Sequence, residues 1–298
     1  MTVCIAAICE HNMIIGASDR MLTAGDIEFE PVPTSAGKEF PLKITPLNDS
    51  RSIVIMMAGA SDIQAQIALK IIRFIDATEK QSPQKIWSVE DTVNLYIDFY
   101  NQEKSRRAAS AILAPFNLEP NTFIARQKEM LDGFSEMIAR ELMNFQMPPV
   151  ETIITGADAS GSHLYTLFDN RPSCCDSVGF AAIGIGARHA ESQFMLNGYS
   201  RFVPQEEALW MIYMAKRKSE IAPGVGKITD LFCVTPNTPA KTPKFRFLND
   251  IIEKAQFEKI YDAFEKKQLS AFQEARAEIK PIMEKIVQEF KKTPPTQS

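Results

Sequence analysis

The chain has 298 residues and a net charge of −4, with ordinary apolar and charged fractions. That length holds one large domain or two small ones, and the composition excludes a disordered or collagen-like chain. So small a charge gives no reason to expect nucleic acid or an anionic membrane as a partner. The three histidines, His11, His163 and His189, do not sit at metal-ligand spacing, and neither a metal nor a cofactor is expected. The five cysteines form no CxxC pair. Cys4, Cys9 and Cys233 fall in apolar runs and read as reduced core thiols, and the adjacent Cys174 and Cys175 cannot easily pair with each other. This pattern suits the reducing cytoplasm. No run is long enough to span a bilayer, and the apolar stretch 3–9 lacks the basic segment that precedes an export signal.

Residues 1–20 read as a strand, a polar turn at Glu10-His11-Asn12, and a return strand over 13–17 ending at Ser18-Asp19. Because Thr2 is small, Met1 is expected to be removed as an initiator methionine. Thr2 then carries a free α-amine and a β-hydroxyl together, a nucleophile with its own general base. Residues 22–33 form a polar crossing segment in which 26–30 alternate like an edge strand, closed by Pro31 and Pro33. A short strand over 40–45 carries Lys43, and Asn48-Asp49-Ser50 makes a turn. The apolar run 52–58 predicts a strand covered on both faces. Ser61 or Asp62 caps a helix to about Ala77, with Ile63, Ile67, Ala68, Ile71, Ile72 and Ile75 at helical spacing.

The stretch 89–146 predicts two or three helices broken near Pro115 and Pro120, with Met130, Phe134, Ile138, Leu142 and Phe145 as an apolar stripe in the last. Strands return over 151–155, 162–168 and 174–182, the first two joined across the turn-rich 156–161. Gly184-Ile185-Gly186-Ala187 leads into a helix through Met195. A second helix follows Pro204, where Glu206 and Glu207 suit its N-terminal dipole. The last strand spans 227–235. Residues 244–292 are charged and helical, with a break expected at Lys280-Pro281, and 293–298 form a tail expected to be disordered. This order suits an α+β fold, a four-layer αββα sandwich of two antiparallel sheets flanked by helices, whereas βαβ repeats fail on the consecutive strands. The expected division is a sandwich domain over 2–243, with a helical insert at about 89–146, and a C-terminal helical extension over 244–292.

The pattern Thr2…Ala17-Ser18-Asp19-Arg20…Lys43-Ile44-Thr45-Pro46-Leu47…Met57-Ala58-Gly59-Ala60-Ser61-Asp62 resembles a proteasome β subunit. It is equally similar to the bacterial heat-shock-locus peptidase of the same family, the N-terminal-nucleophile hydrolases. The resemblance covers the first third of the chain and implies a threonine endopeptidase. In that reading Thr2 is the nucleophile, and its α-amine, with an unperturbed pKa of about 7.7–8.0, accepts the proton. Lys43 would sit beside it, disfavour the protonated amine and stabilise a developing alkoxide. Asp19 would hold Lys43 charged and oriented. The Gly59 N–H would be the oxyanion donor, and Met57 would line the pocket for the side chain before the cut, suggesting apolar residues there.

The resemblance also implies peptide or unfolded-protein substrates and a homo-oligomeric ring or related assembly, and it leaves room for an ATP-dependent unfoldase. The second half departs from the pattern. Where the family has a Gly-Ser-Gly turn, this chain has Gly184-Ile185-Gly186, and Ile185 cannot donate a hydrogen bond. No Asp-x-x-Ser occurs over 219–226, where Glu220 is the one acidic substitute. These departures favour a non-catalytic subunit of the same fold as the alternative, and a small-amide amidohydrolase using the same nucleophile is a third reading.

Overall fold

The computed structural model describes residues 2–24, 27–31, 43–47, 53–82, 87–236, 245–248 and 254–292. Met1, Asp26, Pro33, the expected turn at 48–50, residues 40–42 of the expected Lys43 strand and the tail 293–298 lie outside them. Contacts gather the chain into two units, Met1–Leu248 and Asn249–Ser298.

The first unit opens with β1 (Cys4–Cys9) and β2 (Met13–Asp19), joined by a tight turn in which His11 and Asn12 take positive φ. β3 (Leu22–Ala24) and β4 (Ile27–Phe29) pair as a small separate hairpin. β5 (Ile44–Pro46) and β6 (Ile53–Gly59) follow, then α1 (Ser61–Gln81), α2 (Val89–Ala108), α3 (Pro120–Arg126) and α4 (Asp132–Asn144). β7 (Val150–Asp158), β8 (Gly161–Phe168), β9 (Arg171–Cys174) and β10 (Phe180–Ile183) come next. After α5 (Ala187–Leu196) and α6 (Gln205–Ser219), β11 (Thr229–Val234) and β12 (Phe245–Phe247) end the unit. The result is a mixed α and β structure with two antiparallel five-stranded sheets, ordered β10-β1-β2-β11-β12 and β5-β6-β7-β8-β9.

Strand alternation decides which residues meet. Cys4, Ala6, Ile8 and Ile14 of the first sheet pack with Val54, Met56, Ala58, Ile153 and Leu164 of the second. The opposite face of β6, with Ile53, Ile55 and Met57, packs against Ile63, Ile67, Ile71 and Ile75 of α1 and against Val93 and Tyr96 of α2. Those α1 isoleucines recur at i, i+4, and each is worth about 1.5–3 kcal/mol when buried. They therefore dominate the docking of that helix. On the far side, α5 lies against β10 and α6 against β1 and β2.

One expected strand is corrected. Residues 174–182 are not a single strand: β9 ends the second sheet at Cys174, and β10 resumes in the first sheet at Phe180. The chain crosses between sheets through a corner where Asp176 accepts the Leu164 N–H at 2.7 Å and Gly179 takes a φ of +81°. An alternating pattern does not announce such a crossing.

The helical stretch divides in two. α2 begins with a capping box between Ser88 and Asp91 and belongs to the core shared with α1. Past Ala108 the chain loosens into a π-helical turn over Ala109–Leu113 and a short 3-10 turn containing Pro115. Ile112, Leu113, Phe123 and Ile138 then form a separate small core, against which the expected stripe of Met130, Phe134, Leu142 and Phe145 packs.

In the second unit α7 (Lys254–Lys292) is one continuous helix of 39 residues, about 58 Å long at the α-helical rise. The break expected at Lys280-Pro281 does not occur, and Pro281 lies inside the helix. A single proline removes one backbone hydrogen bond and bends a helix without having to end it. Among the described residues, no helix is long and apolar enough to cross a membrane.

Candidate functional site

The pairing of β1 with β2 sets Cys4 opposite Ser18, which brings the start of β1 beside the end of β2. There the Asp19 N–H donates to the Val3 carbonyl at 3.3 Å. Lys43 precedes β5 and approaches from the other sheet, its carbonyl accepting the Met57 N–H at 3.2 Å. Thr2, Asp19 and Lys43 thus meet beside strand ends contributed by both sheets. They are 3%, 1% and 6% exposed.

The Thr2 hydroxyl donates to Asp19 Oδ1 and accepts from Lys43 Nζ. Asp19 Oδ1 also accepts from Lys43 Nζ at 2.8 Å and from the Val3 N–H at 2.9 Å. Its Oδ2 accepts the N–H groups of Met21 at 3.1 Å and Gly226 at 2.9 Å. Five donors converge on one carboxylate, which suits an anion fixed in a single orientation. That anion in turn fixes the ammonium against Thr2 Oγ1. The structure thus brings Asp19 and Lys43, both singled out in the sequence, together at Thr2.

Thr2 and Lys43 border a cleft of about 320 Å³ lined further by Met21, Met57, Gly59, Gln64, Ala65 and Ala68. Ala65 and Ala68 on α1 leave the space open, and Met57 supplies an apolar wall. Gly59 lines the same cleft, but its need for glycine has a nearer cause than a substrate. Its φ is +108°, and a Cβ there would lie 2.2 Å from the Pro149 carbonyl oxygen. The close approach of the chain entering β7 already requires glycine.

On the other flank of Thr2 the backbone does the holding. Gly186 N–H donates to the Thr2 carbonyl at 3.3 Å. Gly184 takes a φ of +87°, and a Cβ on it would come within 2.3 Å of that same carbonyl oxygen. The Gly184 N–H donates to Glu151 Oε2 at 2.6 Å. Ile185 is 48% exposed between them. Glu220, the expected acidic substitute, accepts from Lys216 Nζ at 2.7 Å.

Lys216 is a component the sequence reading missed. It is fully buried, and burial pushes its ammonium below the usual lysine range, opposed by the neighbouring Glu220 carboxylate. Nζ also donates to the carbonyls of Gly226 and Lys227, each at 2.8 Å, so all three of its donors are used. The Gly226 carbonyl is held this way while its N–H reaches Asp19. Lys216 follows the buried Ile212 by four residues, on the buried register of α6, and that was the available signal. Cys4, close to the site, donates to the Met57 carbonyl at 3.6 Å, and burial pushes its thiol up to about 12. It is a core thiol rather than a nucleophile.

No protein-family model matches the chain, and no curated protein matches it.

Proposed function

We propose that the chain is a threonine peptidase of proteasome type, an N-terminal-nucleophile hydrolase on an αββα sandwich, cutting peptide bonds with Thr2. The observation that carries this reading is the buried cluster in which Thr2 Oγ1 contacts both the Lys43 ammonium and the Asp19 carboxylate, beside an apolar cleft. While Met1 is attached, the Thr2 nitrogen is an amide and cannot serve as a base. Hydrolysis of the Met1–Thr2 bond makes it an amine.

The amine then takes the hydroxyl proton as Oγ1 bonds to the scissile carbonyl carbon. Lys43 offsets the charge gathering on Oγ1. As the tetrahedral adduct collapses, the C–N bond breaks and the ammonium returns its proton to the leaving nitrogen. Water, deprotonated by the same amine, next cleaves the ester to Thr2 and restores the hydroxyl. Peptides and unfolded proteins are the substrates in this reading, and a homo-oligomeric enclosure would keep the site from folded neighbours.

Intact-mass analysis of the protein purified from cells is expected to show loss of Met1, with fluorogenic peptides hydrolysed and Thr2→Ala reduced to background. A retained Met1 would end the catalytic claim. A second reading, a non-catalytic subunit of the same fold, is favoured by the exposed Ile185 in place of a hydrogen-bonding residue and by Glu220 engaging Lys216.

A further inference from the structure

The apolar face of α7 is covered near its start and bare further on. Tyr261 is 2% exposed, whereas Leu269, Phe272, Ile279, Ile282, Met283 and Ile286 on the same side of the helix are 40–66% exposed. Every residue over 265–286 is exposed. Phe272, Ile279 and Ile286 recur every seven residues, with Ala275 and Ile282 three places after the first two. That is the a and d spacing of a helix built to lie lengthwise on another. Pro281 falls on the face away from these positions and leaves the stripe unbroken. A contiguous apolar strip of this kind marks a surface that a partner covers.

We propose that residues 269–286 of α7 pair in parallel and in register with the same segment of a second copy of this chain. This pairing is independent of the peptidase reading. Charge selects the partner and its direction. Glu274 and Glu278 line one border of the stripe, and Arg276 and Lys280 line the other over the same turns. Around a twofold axis running along the helices, the acidic border of each copy faces the basic border of the other on both sides of the seam. Antiparallel copies would set acidic against acidic and basic against basic. Lys285 is the exception on the acidic border, at the end of the run. Size agrees with a pair. The run is about 27 Å long, and half-exposed side chains of this bulk offer roughly 600 Å² on each copy, about 1,200 Å² in all. That reaches the lower bound of a stable, specific interface.

The test is disulfide mapping in the full chain. Ala275→Cys and Ile286→Cys are made singly and oxidised with copper phenanthroline beside wild type, whose cysteines all lie outside α7. Each variant is expected to link like positions of two copies, with about ten times the wild-type yield of cross-linked chain. A mixture of the two variants is expected to give almost no 275–286 disulfide, because in register those positions lie about 16 Å apart. Adding Ile279→Lys to Ala275→Cys puts a charge in the seam and should cut the yield about tenfold, with circular dichroism showing that the variant stays folded. Absence of either like-position disulfide, a dominant 275–286 disulfide, or a yield untouched by Ile279→Lys overturns the proposal. Without the like-position disulfides it is overturned equally whether the strip binds anionic vesicles or leaves the chain monomeric in sedimentation.

Discussion

On the side of β2 and β5, Thr2 is held by charged side chains, whereas on the side of the 184–186 turn it is held by peptide groups. The first flank concentrates an ammonium and a carboxylate on one hydroxyl, with Asp19 accepting five donors. The second supplies the Gly186 N–H and a glycine packed against the Thr2 carbonyl, with the Ile185 side chain turned outward. The difference separates two tasks. In the proposed peptidase, charge has to be where Oγ1 gains electron density, while the other flank has only to fix the position of the residue. A backbone turn can do that whatever side chain it carries at its tip.

The largest effect is expected at Lys43. Lys43→Ala removes the ammonium set against Oγ1 and leaves the Asp19 carboxylate without its ion-pair partner. A loss of about a thousandfold in kcat/KM on a fluorogenic peptide is expected, in line with other single groups that stabilise developing charge. A loss of under tenfold would mean the charged flank is structural. Gly184→Ala tests the backbone flank: its Cβ has no room beside the Thr2 carbonyl, and the positive φ is strained for alanine. Displacing Thr2 by about 1 Å should cost about a hundredfold in rate, with about 1–3 kcal/mol of stability lost in chemical denaturation.

Lys216→Met tests the support behind the charged flank. It leaves the carbonyls of Gly226 and Lys227 without their buried donor, so about 2–4 kcal/mol of stability should go. The rate should drop about tenfold as the Gly226 N–H shifts away from Asp19, measured with the folded fraction held constant. The smallest effect sharpens the contrast. Ile185→Ser adds a hydroxyl to an exposed tip, and stability should change by no more than about 0.5 kcal/mol. The rate should stay within about threefold, because less than one ordinary hydrogen bond is at stake. A much larger gain would show that this flank lacks a needed donor.

What could be read from the sequence follows the same division. Thr2, Asp19 and Lys43 each stand in short recognisable stretches, and the β1–β2 hairpin that brings Asp19 to Thr2 is local. The isoleucine spacing of α1 and the stripe of α4 were equally legible, since a repeat of three and four residues is written along one element. Contacts across sheets were not. Lys216 reaches the site through a loop carbonyl, and its importance lies in three acceptors that no local pattern displays. The crossing at Asp176 was missed for a related reason: strand alternation says which face a residue takes but not which sheet it joins. Pro281 was over-read, because a proline weakens a helix locally whereas the helix forms cooperatively along its length.

In the proposed mechanism the amine and hydroxyl of Thr2 act together once Met1 is gone, with Lys43 at their side. A peptide epoxyketone presents a carbonyl to the hydroxyl and an epoxide to the amine, so its adduct reports both groups at once. Incubated with the protein and followed by intact mass and peptide mapping, it is expected to add once, at Thr2, and to fail to add to Thr2→Ala. A chain that begins at Thr2, is folded, and takes up no label would contradict the account.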